Sequence, residues 1–429
     1  MDILILVLFV LTLLCCVIAD LSIVLALAVG YLLFAAFSLC KGFTMKQLLC
    51  MSFEGIKTTS TILFTFLLIG MLTALWRAGG TIPAIVCYSA GLIHPDFFVL
   101  ITFFLCCLVS FLTGTAFGTS ATMGAICVSV AQAFGLDLLP IGGAVLGGSY
   151  FGDRFSPVST SALLVATVTK TDLYQNLRHM AKTTVLPFIL TCLLYLLWGV
   201  FLPERTGQML DIKAIFSSQF RIGFVAVIPA LVILVAALCR LRVRLVMALS
   251  IGASILVCLF YQELPLTQIL RSCLMGYTPQ DPALQDMIRG GGIVSMIRVT
   301  AIVCLSSSYS GIFRKTGLLA PVTQMIRKLG RKRSTYTVVL LTSILTGAVA
   351  CNQTLSIMLT QQLCGHMEQD KERFALYLEN SAVVIAPLLP WTVACGVSLT
   401  SAGAPANGFL AAFFLMLLPI YSLILFRKK

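Results

Sequence analysis

Gly147-Gly148-Ser149-Tyr150-Phe151-Gly152-Asp153-Arg154-Phe155-Ser156-Pro157-Val158-Ser159-Thr160-Ser161 is the stretch on which the fold turns. Apolar runs long enough for a bilayer flank it, yet it holds a carboxylate, a guanidinium, glycines, a proline and a row of hydroxyls. An unpaired backbone N–H or C=O in hydrocarbon costs several kcal/mol, so irregular backbone persists at membrane depth only where protein or a water-filled cavity satisfies it. The stretch therefore reads as a helix break at an ion or substrate site.

The composition agrees with a membrane setting. Of 429 residues, 59% are hydrophobic and only 10% are charged, against roughly 25% charged in soluble domains. An all-α polytopic membrane protein is expected, with about ten to thirteen membrane segments, some too short to span unaided. The formal charge of +13 sits in short basic clusters at the ends of apolar runs, which is the positive-inside pattern. Lipid is thus the expected macromolecular surroundings and nucleic acid is not an expected partner. Sixteen cysteines without a CxxC and three distant histidines read as core and loop residues, so neither a metal centre nor a cofactor is expected. Met1-Asp2 supplies no positive region before Ile3, and residues 3–19 read as a first span rather than a signal peptide.

Along the chain, runs at 3–19 and 21–40 are divided by Asp20, and a loop with Lys41, Lys46 and Lys57 follows. A span at 61–76 stops at Trp76-Arg77-Ala78-Gly79-Gly80, and one at 97–112 stops at Thr113-Gly114. Apolar pieces at 121–134 and 138–146 precede the opening stretch. After the polar segment 170–182 comes a span at 185–202. From Arg221 the pattern restarts. Spans at 222–239 and 245–260 flank Arg240, Arg242 and Arg244, and a loop carries Asp281, Asp286 and Arg289. A span at 291–312 ends at Phe313-Arg314-Lys315-Thr316-Gly317, before Pro321. One at 336–345 meets Thr346-Gly347, and Glu379-Asn380-Ser381 stands where the opening stretch stood.

The echoes lie 237 residues apart (Arg77 to Arg314), 233 apart (Thr113 to Thr346) and 226 apart (Asp153 to Glu379). They predict two structural repeats, 1–205 and 206–429, each with discontinuous or re-entrant helices. In the first half the loops 41–57 and 170–182 are basic and the turn 91–97 is not. In the second half 327–333 carries five basic residues while 401–408 is uncharged. The positive-inside rule then makes the repeats inverted in topology and puts Arg427-Lys428-Lys429 in the cytoplasm.

Discontinuous helices in inverted repeats place a binding site near the midplane, and a hard monovalent cation calls for oxygen ligands. The candidate ion- and substrate-binding residues are Thr113, Thr115, Thr119, Ser120, Asp153, Ser156, Ser159 and Thr160 in one half. In the other they are Asn352, Gln353, Thr354, Glu379, Asn380 and Ser381. Asp153 and Glu379 are the candidate Na⁺ ligands. Removal from water favours the neutral form of a carboxylic acid, so one group can hold either a proton or a cation. A salt bridge of Asp153 with Arg154 or with another basic residue, holding the broken helix in place, is the purely structural alternative.

Thr113-Gly114-Thr115, Gly148-Ser149-Tyr150-Phe151-Gly152-Asp153-Arg154-Phe155-Ser156-Pro157, Thr346-Gly347, Glu379 and Pro387-Leu388-Leu389-Pro390-Trp391 resemble the signature segments of the NhaC family of sodium/proton antiporters, within the ion transporter superfamily. The resemblance runs through most of the chain. It implies a secondary transporter of the bacterial cytoplasmic membrane that exchanges Na⁺ for H⁺, some members exchanging organic acids such as malate and lactate. Family members usually carry an acid where this chain has Thr160, and an acidic pair where it has Glu379-Asn380.

The expected function is therefore Na⁺/H⁺ antiport by alternating access, with small cation and proton as partners and a homodimer as a possible assembly. The alternative is a cation-coupled carrier or exchanger of a small organic anion or amino acid, held by Asn352, Gln353 and half-helix amides. No enzymatic activity is expected. An intramembrane aspartyl protease needs a second aspartate on a facing span, and the matching position holds Glu379.

Overall fold

The described chain is predominantly helical. In the computed structural model the described residues are 2–19, 23–57, 60–89, 94–157, 159–201, 212–239, 241, 243–279, 288–316 and 334–427. Asp20, Arg240, Arg242, Asp281, Asp286, Gly317, Pro321, the basic run 327–333 and Lys428-Lys429, all used above, lie outside them. No strand occurs among the described residues; a single antiparallel bridge joins Tyr277 to Gly290.

Among the described residues, five helices are long and apolar enough to cross a membrane, including Leu173–Phe201 and Ala406–Leu425. A bent pair, Lys371–Leu388 with Val393–Ala402, meets at 58° and makes a sixth apolar span or a re-entrant loop. Six shorter apolar helices accompany them, including Phe98–Thr113 and Thr335–Ala350.

Local chemistry sets the breaks. Phe98–Thr113 stops at Gly114, whose φ of 66° is left-handed and suits glycine. The chain restarts at Thr115, which is extended and accepts a hydrogen bond from the Gly118 N–H; this is N-capping. The new helix continues to Ala133 through a wide turn at Ser120–Gly124. Asp137 then caps Leu138–Phe155, and Ser159 caps Thr160–Thr169, which ends at left-handed Lys170.

The second half repeats these bounds. Thr335–Ala350 matches Phe98–Thr113 in length, 237 positions on, and is followed by left-handed Cys351 and the N-cap Asn352. From the capping Asp370, where Asp137 stood, the spacing is 233. Lys371–Leu388 follows at that spacing, then Thr392 as a cap, Val393–Ala402 and left-handed Gly403. Hence Gly114 aligns with Cys351, not with Gly347 as the Thr-Gly echo implies.

Two expectations are corrected. The opening stretch is helical through Phe155 and breaks only between Ser156 and Ser159. Its glycines serve close packing. A methyl on Gly148 would come within 2.7 Å of the Phe103 carbonyl oxygen, and one on Gly152 within 2.2 Å of the Ser110 carbonyl carbon. Small residues let helix backbones approach this way in membranes, and Leu138–Phe155 runs parallel to Phe98–Thr113 along that seam. The expected loop 41–57 is also largely a helix, Met45–Lys57, which buries Leu48, Met51, Ser52 and Gly55. The backbone of Ser307 sits against Gly55 and that of Met51 against Gly311, leaving no room for a methyl on either glycine.

Leu173–Phe201 has 29 residues, roughly 43 Å at 1.5 Å per residue. The carbonyl of Asp96, just before Phe98–Thr113, packs on Gly199 near its C-terminal end. Glu372, in the first turn of Lys371–Glu379, meets His179 near its N-terminal end, at 3.6 Å.

Candidate functional site

Asp153 sits in the last turn of Leu138–Phe155 with 6% of its surface exposed. The Ser161 hydroxyl donates to its Oδ2 at 2.7 Å, the Gln353 amide reaches the same oxygen at 3.4 Å, and the Ser159 hydroxyl lies 3.5 Å from Oδ1. The backbone N–H of Ala116, at the start of the helix capped by Thr115, also faces the carboxylate. A helix N-terminus carries unsatisfied N–H groups and partial positive charge, so this end of the helix favours an anion. Gln353 opens the second restarted helix, behind Asn352. Both breaks thus converge on one carboxylate.

The carboxylate borders a cavity of about 960 Å³, also bounded by Thr115, Thr160, Ser161, Gln353 and Thr354. Thr160 is exposed there, and its first-turn position leaves its hydroxyl uncommitted to the cap.

Other candidates are bound to the protein. Thr113 and Thr119 hydroxyls face each other at 3.4 Å, and Thr119 donates to the Thr115 carbonyl. Ser120 donates to Ser149, and Ser156 to the Phe111 carbonyl at 2.6 Å. Ser159 caps its helix and donates to the Asp153 carbonyl. Asn352 spends its side-chain oxygen on the N–H groups of Thr354 and Leu355.

Arg154, next in sequence to Asp153, points elsewhere. The guanidinium is fully buried and donates to the Glu379 carbonyl at 3.2 Å, the Thr184 hydroxyl at 2.7 Å and the Asn380 side-chain oxygen at 2.5 Å. No ion pair between Asp153 and Arg154 occurs among the described residues. Asn380 donates in turn to Ser422 at 2.9 Å, its carbonyl accepts from the Tyr336 hydroxyl, and Ser381 is tied to the Tyr377 carbonyl and to Ser343. This polar network fastens the break at residues 379–381 to Leu138–Phe155 and to Leu173–Phe201.

Glu379 is fully buried, and neither carboxylate oxygen meets a hydrogen-bond partner among the described residues. It does not border the Asp153 cavity. The two carboxylates therefore occupy distinct surroundings.

Several contributors were not among the sequence candidates. Ser161 is the closest partner of the Asp153 carboxylate, and its signal was its place two residues after a capping serine. Tyr150 borders the cavity and donates to the Ala394 carbonyl at 3.0 Å. Arg154 and Thr184 form the buried network, which nothing in the local sequence marks. Among the described residues no group of three or more His, Cys, Asp or Glu side chains is arranged to hold a metal ion.

Comparison with known proteins adds an independent line. The family model described as the Na⁺/H⁺ antiporter family matches residues 1–172 and 148–426. An uncharacterized Na⁺/H⁺ antiporter of Haemophilus influenzae is 28% identical over 363 residues, covering 80% of this chain and 76% of that protein. The Na⁺/H⁺ antiporter NhaC of Alkalihalophilus pseudofirmus is 26% identical, covering 86% of this chain and 82% of that protein. A malate-2H⁺/Na⁺-lactate antiporter of Bacillus subtilis is 24% identical, covering 87% and 82%.

Proposed function

The chain belongs to the Na⁺/H⁺ antiporter family, and from that premise we propose that it exchanges Na⁺ for H⁺ at Asp153 by alternating access. The observation that carries this reading is a 6%-exposed carboxylate bordering a cavity of about 960 Å³ where two restarted helices converge. Burial disfavours a bare carboxylate. A proton or a sodium ion relieves the charge, and the two compete for the same carboxylate oxygens. The Asp153 carboxylate and the Ser161 hydroxyl, with Thr160 beside them, are hard oxygen donors suited to Na⁺. Glu379 is the partner carboxylate of the second half, held near the site through Arg154.

An inverted pair of repeats, 1–205 and 206–429, supports such a cycle. The recurrence of helix bounds at spacings of 237 and 233 favours it. So do the packing positions of Asp96 and Glu372, which lie twenty residues apart on Leu173–Phe201, roughly 30 Å. Phe98–Thr113, which runs parallel to Leu138–Phe155, and Lys371–Leu388, the counterpart of Leu138–Phe155, thus start from opposite ends of one long helix. With the positive-inside reading, the C-terminus lies in the cytoplasm and the protein in the bacterial cytoplasmic membrane.

The test is a pH-sensitive dye in proteoliposomes. Addition of Na⁺ or Li⁺ is expected to dissipate a preformed proton gradient, and Asp153→Asn is expected to abolish the response while the protein remains folded. Wild-type exchange in that variant would remove Asp153 from the mechanism.

A second reading, exchange of a small organic anion coupled to cation, is favoured by the cavity volume, far above what one sodium ion occupies. Uptake across a panel of small carboxylates and amino acids separates the two.

A further inference from the structure

The Asp153 cavity contains a second charge. Arg244, in the first turn of Val243–Leu256, borders it beside Thr65, Phe66 and Leu245. Asp153 and Arg244 are the two side chains of opposite formal charge among its described lining. Arg244 is exposed, its guanidinium carbon lies 5.9 Å from the centre of the Phe64 ring, and no carboxylate among the described residues pairs with it. A fixed cation in a cavity that admits cations opposes the cargo, so its presence calls for an explanation.

We propose that Arg244 is a specificity-determining residue that limits the cavity to one monovalent cation and disfavours divalent ions. The inference rests on the Na⁺/H⁺ reading above. With Asp153 protonated, the lining carries a net positive charge, and a metal cation is held off until the proton leaves. With Asp153 ionised, the lining is neutral overall and one Na⁺ leaves it with a single excess positive charge. A divalent ion at the same place feels twice the repulsion from Arg244, because Coulomb energy scales with the charge of the ion. The stacking over Phe64 keeps the guanidinium on the cavity wall, where it acts through space and touches no cargo.

Removing the charge gives a signature that misfolding cannot imitate. For a fixed charge on the wall of a partly screened cavity, Arg244→Gln is expected to lower the KM for Na⁺ by about three- to ten-fold at low ionic strength, with the change shrinking as choline chloride is added. The inhibition constant for Ca²⁺ or Mg²⁺ should fall by about the square of the Na⁺ factor, since the ion carries twice the charge. Arg244→Lys keeps the charge and should resemble wild type in both.

The assay is the proteoliposome dye response in wild type, Arg244→Gln and Arg244→Lys, titrated with Na⁺ and with Ca²⁺ against Na⁺. Equal factors for Na⁺ and Ca²⁺, an unchanged Na⁺ KM in Arg244→Gln, or Arg244→Lys behaving like Arg244→Gln would each overturn the proposal. So would a wild-type response that depends on an added small carboxylate and is lost in Arg244→Gln, since Arg244 would then be an anion ligand. Absence of any Na⁺ response in wild type refutes the antiport reading itself and is distinguishable from all of these.

Discussion

Arg154→Leu tests whether the buried guanidinium holds the two halves together. In the native protein it donates to three neutral acceptors on two other segments: the Glu379 carbonyl, the Asn380 side-chain oxygen and the Thr184 hydroxyl. Leucine leaves all three without that donor. Thr184 still donates its own proton to the Met180 carbonyl at 2.6 Å, so its loss is slight. The other two become buried acceptors without this partner, each costing about 1–3 kcal/mol. Against this, the variant no longer buries a guanidinium, which offsets part of the cost. The net expectation is a loss of roughly 2–5 kcal/mol. Asn380 keeps its bonds to Ser422 and Tyr336, so local loosening of the break precedes global unfolding. Thermal unfolding of the detergent-purified protein, followed by size-exclusion chromatography after heating, reads the effect. Asp153→Asn is the internal control, because it leaves every Arg154 bond intact. Unchanged stability in Arg154→Leu refutes the reasoning. Equal destabilisation by the two variants would restore the Asp153–Arg154 salt bridge that the geometry excludes.

Two further outcomes follow from the backbone. Gly152→Ala places a methyl 2.2 Å from the Ser110 carbonyl carbon; neither helix backbone can yield locally, so a cost of at least about 1–3 kcal/mol is expected, with lost exchange as Asp153 shifts, measured by the same heating assay and the dye response. Lys170 holds φ 57° where Gly403 occupies the matching cap at φ 76°; Lys170→Gly should raise stability by up to about 1 kcal/mol and Gly403→Val should lower it by a similar or larger amount, read as opposite shifts in Tm.

Much of the architecture was legible because bilayer physics leaves few options. Apolar runs located the helices, and Thr113-Gly114-Thr115 announced a break because a glycine stop and a threonine cap are local devices. The opening stretch misled at its centre. Three glycines within six residues look like a break in isolation, whereas Gly148 and Gly152 serve a neighbouring helix, and the packing partner at Phe103 to Phe111 is some forty residues away. Site residues divided by the same rule. Asp153, the centre of the candidate site, stands out in the sequence because a carboxylate in an apolar setting is conspicuous. Arg154's direction does not, because a helix turns about 100° per residue and adjacent residues face different neighbours. Arg244 lay hidden among basic residues that topology already explained.

The match of Glu379 to Asp153 shows how residue type and register come apart. Helix bounds at a spacing of 233 pair Asp153 with Ala386 and Glu379 with Leu146. Asp153 stands in the last turn of its helix, while Glu379 stands two turns earlier in the matching one, just before the break at Asn380. If the halves are inverted repeats, as proposed, equivalent residues lie on opposite sides of the midplane unless they sit at the level where the halves cross. Residues shifted by two turns can come closer than equivalent ones. Arg154 spans that gap, reaching the Glu379 carbonyl from the position next to Asp153. The chemical echo therefore follows proximity between the halves, whereas the caps follow the repeat. The 226-residue offset, the outlier of the three, is what distinguishes the two.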